Sequence, residues 1–397
     1  MAAAYDVPIV TRGRGTGLAG GASGRSDGIV LSTERMRGIA IDPQNRVAVV
    51  GPGLLNSEVK TEAAEHGLWY PPDPASFEMS SIGGNLATNA GGLCCVKYGV
   101  TADYVLGLEV VTADGRVLRL GGARLKDNAG YDLVRLMVGS EGTLGIITEA
   151  TLRLLPTPAV ESVAVGIFAS LTDAARATAA LKLRLEPSML ELMDGVALNI
   201  IEDKYRMGLD RTAGAMLIAA TDTPGETGEE EVAAIGATFT EHGATEVYVA
   251  SDPAEAENLV AARRLAAPAA MALGPILLED IAVPVSLLAE LVGGIQQVAR
   301  DRDVRIGVVA HAGDGDVHPV IIRDPSDPDA AAREDAAFED IMRLAVRLGG
   351  TISAEHGIGR LKRPWLEDAV GHDVFDLNRR IKDALDPQGI LNPGVGL

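Results

Sequence analysis

Two histidines lie on either side of an Asp-Gly pair in the segment Gly307–Pro319, and together they could bind one metal ion. An Asp314-Gly315 pair between two alternating apolar runs predicts a two-residue hairpin turn. That turn pairs residue 313 with 316, 312 with 317, and His311 with His318. Directly opposed side chains have Cβ atoms about 5 Å apart on one face of a sheet, which suits two ligands of one metal. An ordinary hairpin with two paired histidines has the same spacing, so both interpretations stay open at this point.

A carboxylate and another histidine follow in the run Gly349–Gly359, which is expected to be a short strand that enters a glycine-rich turn. These two residues are Glu355 and His356. Two histidines and one carboxylate form an open divalent-metal site that leaves coordination positions for a substrate. The segment therefore contains the carboxylate that the histidine pair would need.

Glycine clusters in the N-terminal part indicate a second site, for a phosphate-bearing ligand. Gly15, Gly17 and Gly20 match the G-x-G-x-x-G pattern, but the dinucleotide fold that uses this pattern needs a helix to begin at the third glycine. Here the chain continues with further glycines up to Gly28, and such a glycine-rich run does not form a helix. The loop instead offers backbone N–H groups to an anion, with charge from Arg12 and Arg14; a flexible glycine loop is the alternative.

Two more clusters strengthen this interpretation. Tyr70–Ser76 is rich in proline, and Ser80–Gly92 alternates small polar side chains with glycine pairs. A third cluster, Gly139–Gly145, continues into an apolar strand. Three such loops in one domain are hard to explain as three unrelated turns, so we expect them to surround one ligand.

Proline residues at 156 and 158 mark a domain boundary, because each removes a hydrogen-bond donor and restricts its neighbour. Before it, the predicted strands are Pro8–Thr11, Gly28–Leu31, Val47–Val50, Tyr104–Thr112, Val117–Leu120 and Leu144–Leu155, with one helix at Leu55–His66. After it, strands are predicted at Ser162–Phe168, Ala215–Ala220, Thr245–Ala250, Ile276–Val283, Val304–Ala310 and Val317–Ile322. Helices are predicted there at Thr172–Leu185 (capped by Thr172), Glu229–His242, Ala254–Leu273, Ser286–Asp301 and Ala330–Leu348. The alternation predicts an α+β domain.

Composition excludes several classes of protein. The 397 residues carry a net charge of −20, and both nucleic acid and anionic membranes repel an acidic chain. The only cysteines are the adjacent Cys94 and Cys95, so no disulfide framework is expected; they are expected to be small core residues. No spanning apolar run and no leader peptide are predicted, and the expected location is the cytoplasm, with peripheral attachment to the inner membrane face as an alternative.

The motifs RGRGTGLAGGA, YPPDPAS, SIGGNLATNAGG, VKYGVTADYVLGLEVV and GSEGTLGIITEATLRLLP resemble, taken together, the FAD domain of the vanillyl-alcohol-oxidase-type flavoproteins. The resemblance covers nearly the whole chain and is strongest to the group of glycolate oxidase catalytic subunits, D-lactate dehydrogenases and D-2-hydroxyglutarate dehydrogenases. It implies an α+β fold with a two-subdomain PCMH-type FAD-binding domain at 1–157. A ferredoxin-like α+β cap domain would follow at 158–370, and a C-terminal segment at 371–397 would return to the FAD domain.

By this resemblance, FAD is bound non-covalently, since the first loop has no histidine of the kind that relatives use for covalent attachment. The residues it assigns to the pyrophosphate are Arg12, Gly13, Arg14, Gly15, Thr16, Ser80, Ser81, Ile82, Gly83, Gly84 and Asn85. Those it assigns to the rest of the flavin are Pro71, Asp73, Thr88, Asn89, Gly92, Gly142, Ile147 and Asn392. Relatives carry a lysine where this chain has Val395, so a contact from that lysine is lost.

The resemblance also assigns roles in the C-terminal part. His311, His318 and Glu355 would bind a divalent metal, with zinc expected first and iron or manganese as alternatives. His356 would be the catalytic base. Arg263 or Arg264 would pair the substrate carboxylate, since a guanidinium fits a carboxylate bidentately, and the resemblance favours Arg263.

Three departures from the family pattern stand out. Asp316 replaces the usual asparagine, and Val320 replaces the asparagine with which hydroxyglutarate-type members contact substrate. The second change favours a small monocarboxylic substrate. Relatives also carry about one further strand–helix unit, on the order of fifty residues, before the start of this sequence, so we expect the FAD domain here to lack its first strand–helix unit.

These features predict FAD-dependent oxidation of a small 2-hydroxy acid, such as D-lactate or glycolate, to the 2-oxo acid. The expected electron acceptor is a protein or a quinone rather than NAD, and a homodimer or an iron–sulfur partner subunit is expected. Alternatives are D-2-hydroxyglutarate dehydrogenase activity, a flavin-free metal-dependent hydrolase and an inactive truncated apo form.

Overall fold

The structure is a computed structural model that describes residues 2–250, 252–324 and 326–397. Its internal contacts divide the chain into two compact units. Unit 1 comprises the residues up to Gly92, Gly99–Pro158 and Glu355–Leu397; unit 2 comprises Leu93–Tyr98 and Ala159–Ala354. The domain limits predicted at 157/158 and 370/371 stay a prediction, and Met1, where the first predicted domain starts, lies outside the described residues.

A five-stranded antiparallel sheet forms the centre of unit 1. Its strands, in sheet order, are Ile39–Asp42, Val47–Val50, Ile146–Arg153, Val105–Val111 and Val117–Gly121. Two further pairs are the parallel strands Ile9–Arg12 and Ile29–Ser32 and the antiparallel strands Leu68–Trp69 and Leu155–Pro156. Alternating burial along these strands places valine, isoleucine and leucine in the core.

Four of the five α-helices described in unit 1 have nine residues or fewer, and the fifth has 14. The α-helices are Asn56–Ala64, Ile82–Thr88, Leu133–Met137, Leu366–Val370 and His372–Leu385, and the 3-10 turns are Ala2–Ala4, Thr101–Tyr104 and Arg363–Trp365. The first glycine loop, residues 13–28, contains no helix, as its composition predicts. Near the C-terminus, Leu391 forms a parallel bridge with Ile9 and packs on Ile146, so the final segment joins the first strand.

Unit 2 contains one antiparallel sheet. In sheet order its strands are Ala244–Val249, Ser162–Phe168, Ala215–Thr221, Met189–Asp194, Ile306–His311, Asp316–Ile322 and Ile276–Leu278, and Ile281–Ala282 also pairs with Asp316–Ile322. The α-helices are Cys95–Tyr98, Leu171–Lys182, Gly195–Tyr205, Glu226–Glu241, Pro253–Arg264, Ala266–Met271, Leu288–Arg302 and Ala330–Arg347, with a 3-10 turn at Val285–Leu287.

One apolar cluster of unit 2 shows how helices cover the sheet. Leu198 and Ile201 of one helix and Val260 of another pack against strand residues that include Met193 and Val309. Most predicted strands and helices are present within a few residues of their predicted bounds. No helix among the described residues has the length and hydropathy needed to cross a membrane.

Three predictions about elements of unit 2 were wrong in detail, and one strand was not predicted. The helix after Phe168 begins at Leu171, with the side chain of Ser170 rather than Thr172 as its cap. The single helix expected over 254–273 is two helices that meet at Leu265. The strand expected over 276–283 is interrupted at Glu279-Asp280. The central strand Met189–Asp194 was not predicted, because a buried strand lacks the polar–apolar alternation of a half-exposed one.

Candidate active site

The first glycine loop of unit 1 packs directly on the second. A Cβ atom at Gly13 would lie 2.3 Å from Oγ of Ser81, so only glycine permits this approach. Ser81 is the N-cap of helix Ile82–Thr88 and accepts a hydrogen bond from the amide of Gly84. Arg12 ends the strand before this loop, and a Cβ at Gly15 would lie 2.9 Å from its guanidinium. Arg14 is exposed and forms an ion pair with Glu34.

A buried amide network connects the proline-rich segment with the second loop. Asn56 donates from Nδ2 to the carbonyl of Pro72 and to Oδ1 of Asn85, and Asn85 in turn donates to Oγ of Ser80. Both asparagines are buried. Sequence reasoning missed Asn56, whose only signal is a polar residue at the first position of a helix. The network fixes the loop residues through their side chains and leaves backbone groups for a ligand.

The third loop joins the other two. The amides of Gly139 and Glu141 donate to the carbonyls of Leu86 and Ala87 in helix Ile82–Thr88, at 2.8 Å each. A Cβ at Gly142 would lie 3.7 Å from Cβ of Thr11, which belongs to the first strand. Ile147 follows in the strand Ile146–Arg153. The three glycine clusters therefore converge within unit 1.

Four more of the predicted flavin residues take up defined positions. Asn89 ends helix Ile82–Thr88 in the left-handed region (φ 54°), and its Oδ1 accepts the amide of Ala102. Thr88 donates from Oγ1 to the carbonyl of Gly84. Gly92 packs so tightly on Asp73 that a Cβ there would lie 2.4 Å from the Asp73 carbonyl oxygen. The proline-rich segment and the second loop thus meet at their ends.

The C-terminal segment completes this arrangement. Asn392 donates from Nδ2 to the carbonyls of Gly21 and Glu141, and its amide donates to the carbonyl of Ile9. Val395, where relatives have lysine, is buried, and its Cγ1 lies 3.7 Å from a Cβ built on Gly21. We call the assembly of the three glycine loops with Asn392 the cradle.

Two buried oxygens at the cradle have no hydrogen-bond partner among the described residues: Oγ1 of Thr11, in the strand before the first loop, and Oδ1 of Asn392. Buried polar atoms are nearly always hydrogen-bonded, so orphaned ones indicate a ligand or water. A ligand with several polar groups would satisfy both. The cradle therefore fits a polar cofactor that carries hydrogen-bond donors.

The histidine hairpin of unit 2 has a different register from the predicted one. His311 pairs with Asp316, and His318 pairs with Val309. Residues 312–315 therefore form a four-residue loop, and the prediction of a two-residue Asp-Gly turn was wrong. The loop is held from outside the hairpin, since the amide of Gly313 donates to the Leu190 carbonyl. The slip of two residues keeps every side chain on its predicted face, because the period of a strand is two.

The two histidines therefore remain neighbours, as diagonal rather than directly opposed residues. Their ring centroids are 5.2 Å apart in an edge-to-face arrangement. The new register places Asp316 directly opposite His311, and its Oδ2 lies 3.7 Å from Nε2 of His318. One ligand atom from each of these three buried residues lies within 4.8 Å of the other two. This spacing suits a shared cation.

A buried glutamate orients His311 and links it to an arginine. Nδ1 of His311 lies 2.9 Å from Oε1 of Glu191, and Nε of Arg263 lies 2.8 Å from Oε2. An ionised carboxylate only accepts hydrogen bonds, so it fixes the proton of His311 on Nδ1 and leaves Nε2 for a metal. Glu191 was not predicted as a site residue; its signal was a glutamate in the middle of an otherwise apolar run.

Arg263 and Arg264 have different environments. Arg263 is buried beside Glu191, and its Nη2 has no hydrogen-bond partner among the described residues, whereas Arg264 is exposed. Successive residues of a helix point about 100° apart, so only one of the two can face the histidines. The free Nη2 suits an anionic ligand.

A second unpredicted carboxylate, Asp280, lies at the interruption between two short strands. Its Oδ2 accepts hydrogen bonds from Oγ of Ser353 (2.7 Å) and from the amide of Ala354 (3.0 Å), and its Oδ1 lies 3.9 Å from Nδ1 of His318. Asp280 therefore fixes the residues immediately before Glu355 in the chain. The strand expected before Glu355 is reduced to a single bridge between Thr351 and Ala282.

Glu355 and His356 belong to unit 1, where the structure places them next to each other and partly buried. Nε2 of His356 lies 3.7 Å from Oε1 of Glu355. The amides of Ile358 and Gly359, two and three residues after His356, donate to the carboxylate of Glu141. Burial raises the pKa of Glu141 to about 7, against the opposing effect of these two amide hydrogen bonds.

Comparison with protein families identifies both parts of the chain. Residues 1–121 match the model described as FAD binding domain, and residues 157–395 match the model described as FAD linked oxidases, C-terminal domain. The sequence is 42% identical to the glycolate oxidase subunit GlcD of Bacillus subtilis over 98% of this chain and 84% of that protein. It is 37% identical to a D-lactate dehydrogenase of Archaeoglobus fulgidus over 98% of this chain and 85% of that protein.

Solved structures with the same fold are more distant in sequence. The 4-ethylphenol oxidase of Gulosibacter chungangensis superposes with a TM-score of 0.78 at 20% identity, over 100% of this chain and 85% of that one. The p-cresol methylhydroxylase structure superposes with a TM-score of 0.77 at 19% identity, over 100% and 85%. These likenesses confirm the predicted α+β fold with a PCMH-type FAD-binding domain.

Proposed function

Because this chain belongs to the FAD-linked oxidases, we propose that it is the oxidoreductase that converts a small 2-hydroxy monocarboxylic acid, of the size of glycolate or D-lactate, into the 2-oxo acid. The single observation that carries this proposal is the buried group formed by His311, His318, Glu191 and Arg263, which combines metal-ligand geometry with a free guanidinium nitrogen. The relatives named glycolate oxidase subunit and D-lactate dehydrogenase support it.

The cofactor of this family fits the cradle, where the orphaned oxygens of Thr11 and Asn392 could receive its donors. The flavin residues assigned from the sequence are kept as the proposed ligands, with Arg12 to Thr16 and Ser80 to Asn85 for the pyrophosphate. When bound, FAD supplies the hydride-accepting ring system.

Arg263 is the proposed binding partner of the substrate carboxylate, because Nη2 of Arg263 is buried and still able to donate a hydrogen bond. Arg264 is the weaker candidate, being exposed. His311 and His318, with Glu355 as the third ligand, are the proposed holders of a divalent cation. Asp316 joins them as a further candidate ligand.

The charges of the buried residues also support the proposal of a bound cation. Glu191, Asp280 and Asp316 are buried carboxylates of unit 2 that contact or neighbour the two histidines, and Arg263 pairs with Glu191. Buried charges are costly unless they are paired or bind metals. A divalent cation, when bound, lowers the pKa of a hydroxyl group that it coordinates. Zinc is the first candidate, with iron and manganese as alternatives.

His356 is the proposed base that takes the hydroxyl proton of the substrate while the C2 hydrogen leaves as hydride. The products are then the 2-oxo acid, reduced flavin and a protonated imidazole. Asp280 supports this assignment, because it anchors Ser353 and Ala354 directly before Glu355 and His356. For reoxidation we keep the sequence-based proposal of a protein or quinone acceptor, with a homodimer or an iron–sulfur subunit as partner.

The experiment is anaerobic mixing of the flavin-loaded protein with glycolate, D-lactate, L-lactate and D-2-hydroxyglutarate, monitored by the visible absorbance of the flavin. We expect bleaching by a monocarboxylic acid, its loss after treatment with a metal chelator, and its return when Zn²⁺ or Mn²⁺ is added. Bleaching by D-2-hydroxyglutarate alone would support D-2-hydroxyglutarate dehydrogenase activity instead. No bleaching by any 2-hydroxy acid would overturn the proposal. Membership of the FAD-linked oxidases already argues against a flavin-free hydrolase.

A further inference from the structure

We propose that Glu141 is a positioning residue, whose carboxylate holds the segment Glu355–Gly359 while its backbone holds the cradle. The inference rests on the proposed function, since that is where Glu355 and His356 receive their roles. It concerns a side chain inside the third glycine cluster to which the sequence patterns assigned no role.

The carboxylate of Glu141 is fully engaged by the turn that follows His356. Oε1 accepts the amide of Ile358 at 3.0 Å and Oε2 accepts the amide of Gly359 at 2.9 Å. Two successive amides that point at one anion form a nest. The turn that follows the proposed base is thus held by a carboxylate that is remote in sequence, 217 residues from Ile358 and 218 residues from Gly359.

The glycines of this turn permit the close contact. Gly357 has φ +83°, and a Cβ there would lie 3.0 Å from the carboxyl carbon of Glu141. Gly359 has φ +55°, and a Cβ there would lie 1.9 Å from the carbonyl oxygen of Ala19. A side chain at either position would displace the turn and with it His356. The glycines thus make the contact possible, and Glu141 supplies the attraction.

The backbone of Glu141 is fixed from both sides. Its amide donates to the carbonyl of Ala87, and its carbonyl accepts Nδ2 of Asn392 at 2.7 Å. Glu141 also has φ 53°, a left-handed conformation that is strained for residues other than glycine. A strained backbone persists only where its surroundings over-determine it, and here the two carboxylate contacts and the two backbone contacts do so.

Because the carboxylate of Glu141 is buried, its hydrogen bonds to the turn are not replaced by hydrogen bonds to water. Burial raises the pKa of Glu141 to about 7, and the amide hydrogen bonds from Gly359 and Ile358 oppose that rise because they favour the ionised carboxylate. The ionised carboxylate accepts both amides at once, whereas a neutral side chain of the same size presents only one acceptor to them. Glutamine at position 141 should therefore loosen the turn without emptying the space.

The test compares E141Q and E141A with wild type as flavin-loaded proteins at alkaline pH. The first readout is amide hydrogen exchange, measured by mass spectrometry, of the peptide that covers residues 355–361. We expect exchange to be faster by about tenfold or more in E141A, with E141Q intermediate. The second readout is steady-state oxidation, where we expect kcat to fall on the order of tenfold while KM stays within about twofold, since a displaced base impairs chemistry more than binding.

The matched control is E149Q, an exposed glutamate on the strand that follows the same loop, which should change neither readout. E141Q keeps the size of the side chain, so the comparison holds even where E141A does not fold. Wild-type exchange rates over 355–361 in both variants would overturn the inference, whatever the enzyme oxidises. If exchange is fast in the variants but none of the 2-hydroxy acids bleaches the flavin of the wild type, the inference about Glu141 stands and the proposed function is overturned.

Discussion

Nδ1 of His311 lies 2.9 Å from Oε1 of Glu191, and both groups are buried in unit 2. The contact determines which ring nitrogen is available for a metal, because a carboxylate acceptor keeps the proton on Nδ1. The other oxygen of Glu191 pairs with Arg263, so one carboxylate orients both the proposed metal ligand and the proposed substrate anchor. Metal affinity and substrate binding should therefore respond together when Glu191 is changed.

We predict that Glu191→Gln weakens metal binding about 10- to 100-fold, as loss of an outer partner of a ligating histidine commonly does. The measurement is metal content by elemental analysis after dialysis against a chelator series. The matched control is Glu186→Gln, an exposed glutamate five residues earlier, which should leave the metal content unchanged. Unaltered metal affinity in Glu191→Gln would show that this carboxylate does not support a ligand.

The histidine pair illustrates how far sequence pattern reaches. The Asp-Gly signal correctly indicated a hairpin with His311 and His318 on one face, but it gave the wrong register. Turn type depends on contacts beyond the hairpin, here the hydrogen bond from Gly313 to Leu190. The error of two residues preserved the face and therefore the proximity of the rings, whereas an error of one would have separated them.

The carboxylates around the histidines were harder to predict. Glu191 lies in a strand and Asp280 between two short strands, and no local spacing connects either of them with His311 or His318. Their signal was an acidic residue inside an apolar run, in MLELMD and LLEDIAV. A buried carboxylate of this kind needs a partner, but only the sheet order identifies which one.

His356→Ala should abolish most of the substrate-dependent bleaching of the flavin. Removal of a general base commonly costs about 10²- to 10⁴-fold in rate. Single-turnover bleaching measured anaerobically isolates this step from reoxidation. The control is His372→Ala, an exposed histidine of the same unit that pairs with Glu367 on the surface. Equal bleaching rates in His356→Ala and wild type would exclude His356 as the base.

Arg263→Lys should lower kcat/KM by about 10- to 100-fold, since a charged hydrogen bond is worth about 1.5–3 kcal/mol and an ammonium group cannot reproduce the guanidinium fork. The buried ion pair with Glu191 would be strained at the same time, so a thermal unfolding measurement should accompany the kinetics. Arg264→Ala provides the comparison, because this neighbour is exposed. A larger loss in Arg264→Ala than in Arg263→Lys would reverse the assignment.

Val320→Asn should shift specificity towards a dicarboxylic 2-hydroxy acid. Val320 is buried on the same face as His318, two residues further along the strand, so its side chain lies beside the proposed metal site. We expect the ratio of kcat/KM for 2-hydroxyglutarate to that for D-lactate to rise roughly tenfold, the scale of one hydrogen bond to a charged group. Val320→Ala enlarges the space without adding a donor. A similar shift in both variants would mean that size rather than polarity sets specificity.

The buried carboxylate of Glu141 should make folding stability depend on pH. Its pKa is about 7 in the folded protein, against 4.5 as its ordinary value, so the folded state binds more protons between these two values. The contribution of this group to the free energy of unfolding is therefore fully present below about pH 4.5 and is lost as the pH rises through about 7. Glu141→Gln does not titrate, so its stability relative to wild type should increase as the pH rises over this range.

Thermal unfolding across the same pH range measures the difference, with Glu149→Gln as the exposed control. A constant difference between Glu141→Gln and wild type would mean that the carboxyl group titrates near its ordinary value in the fold.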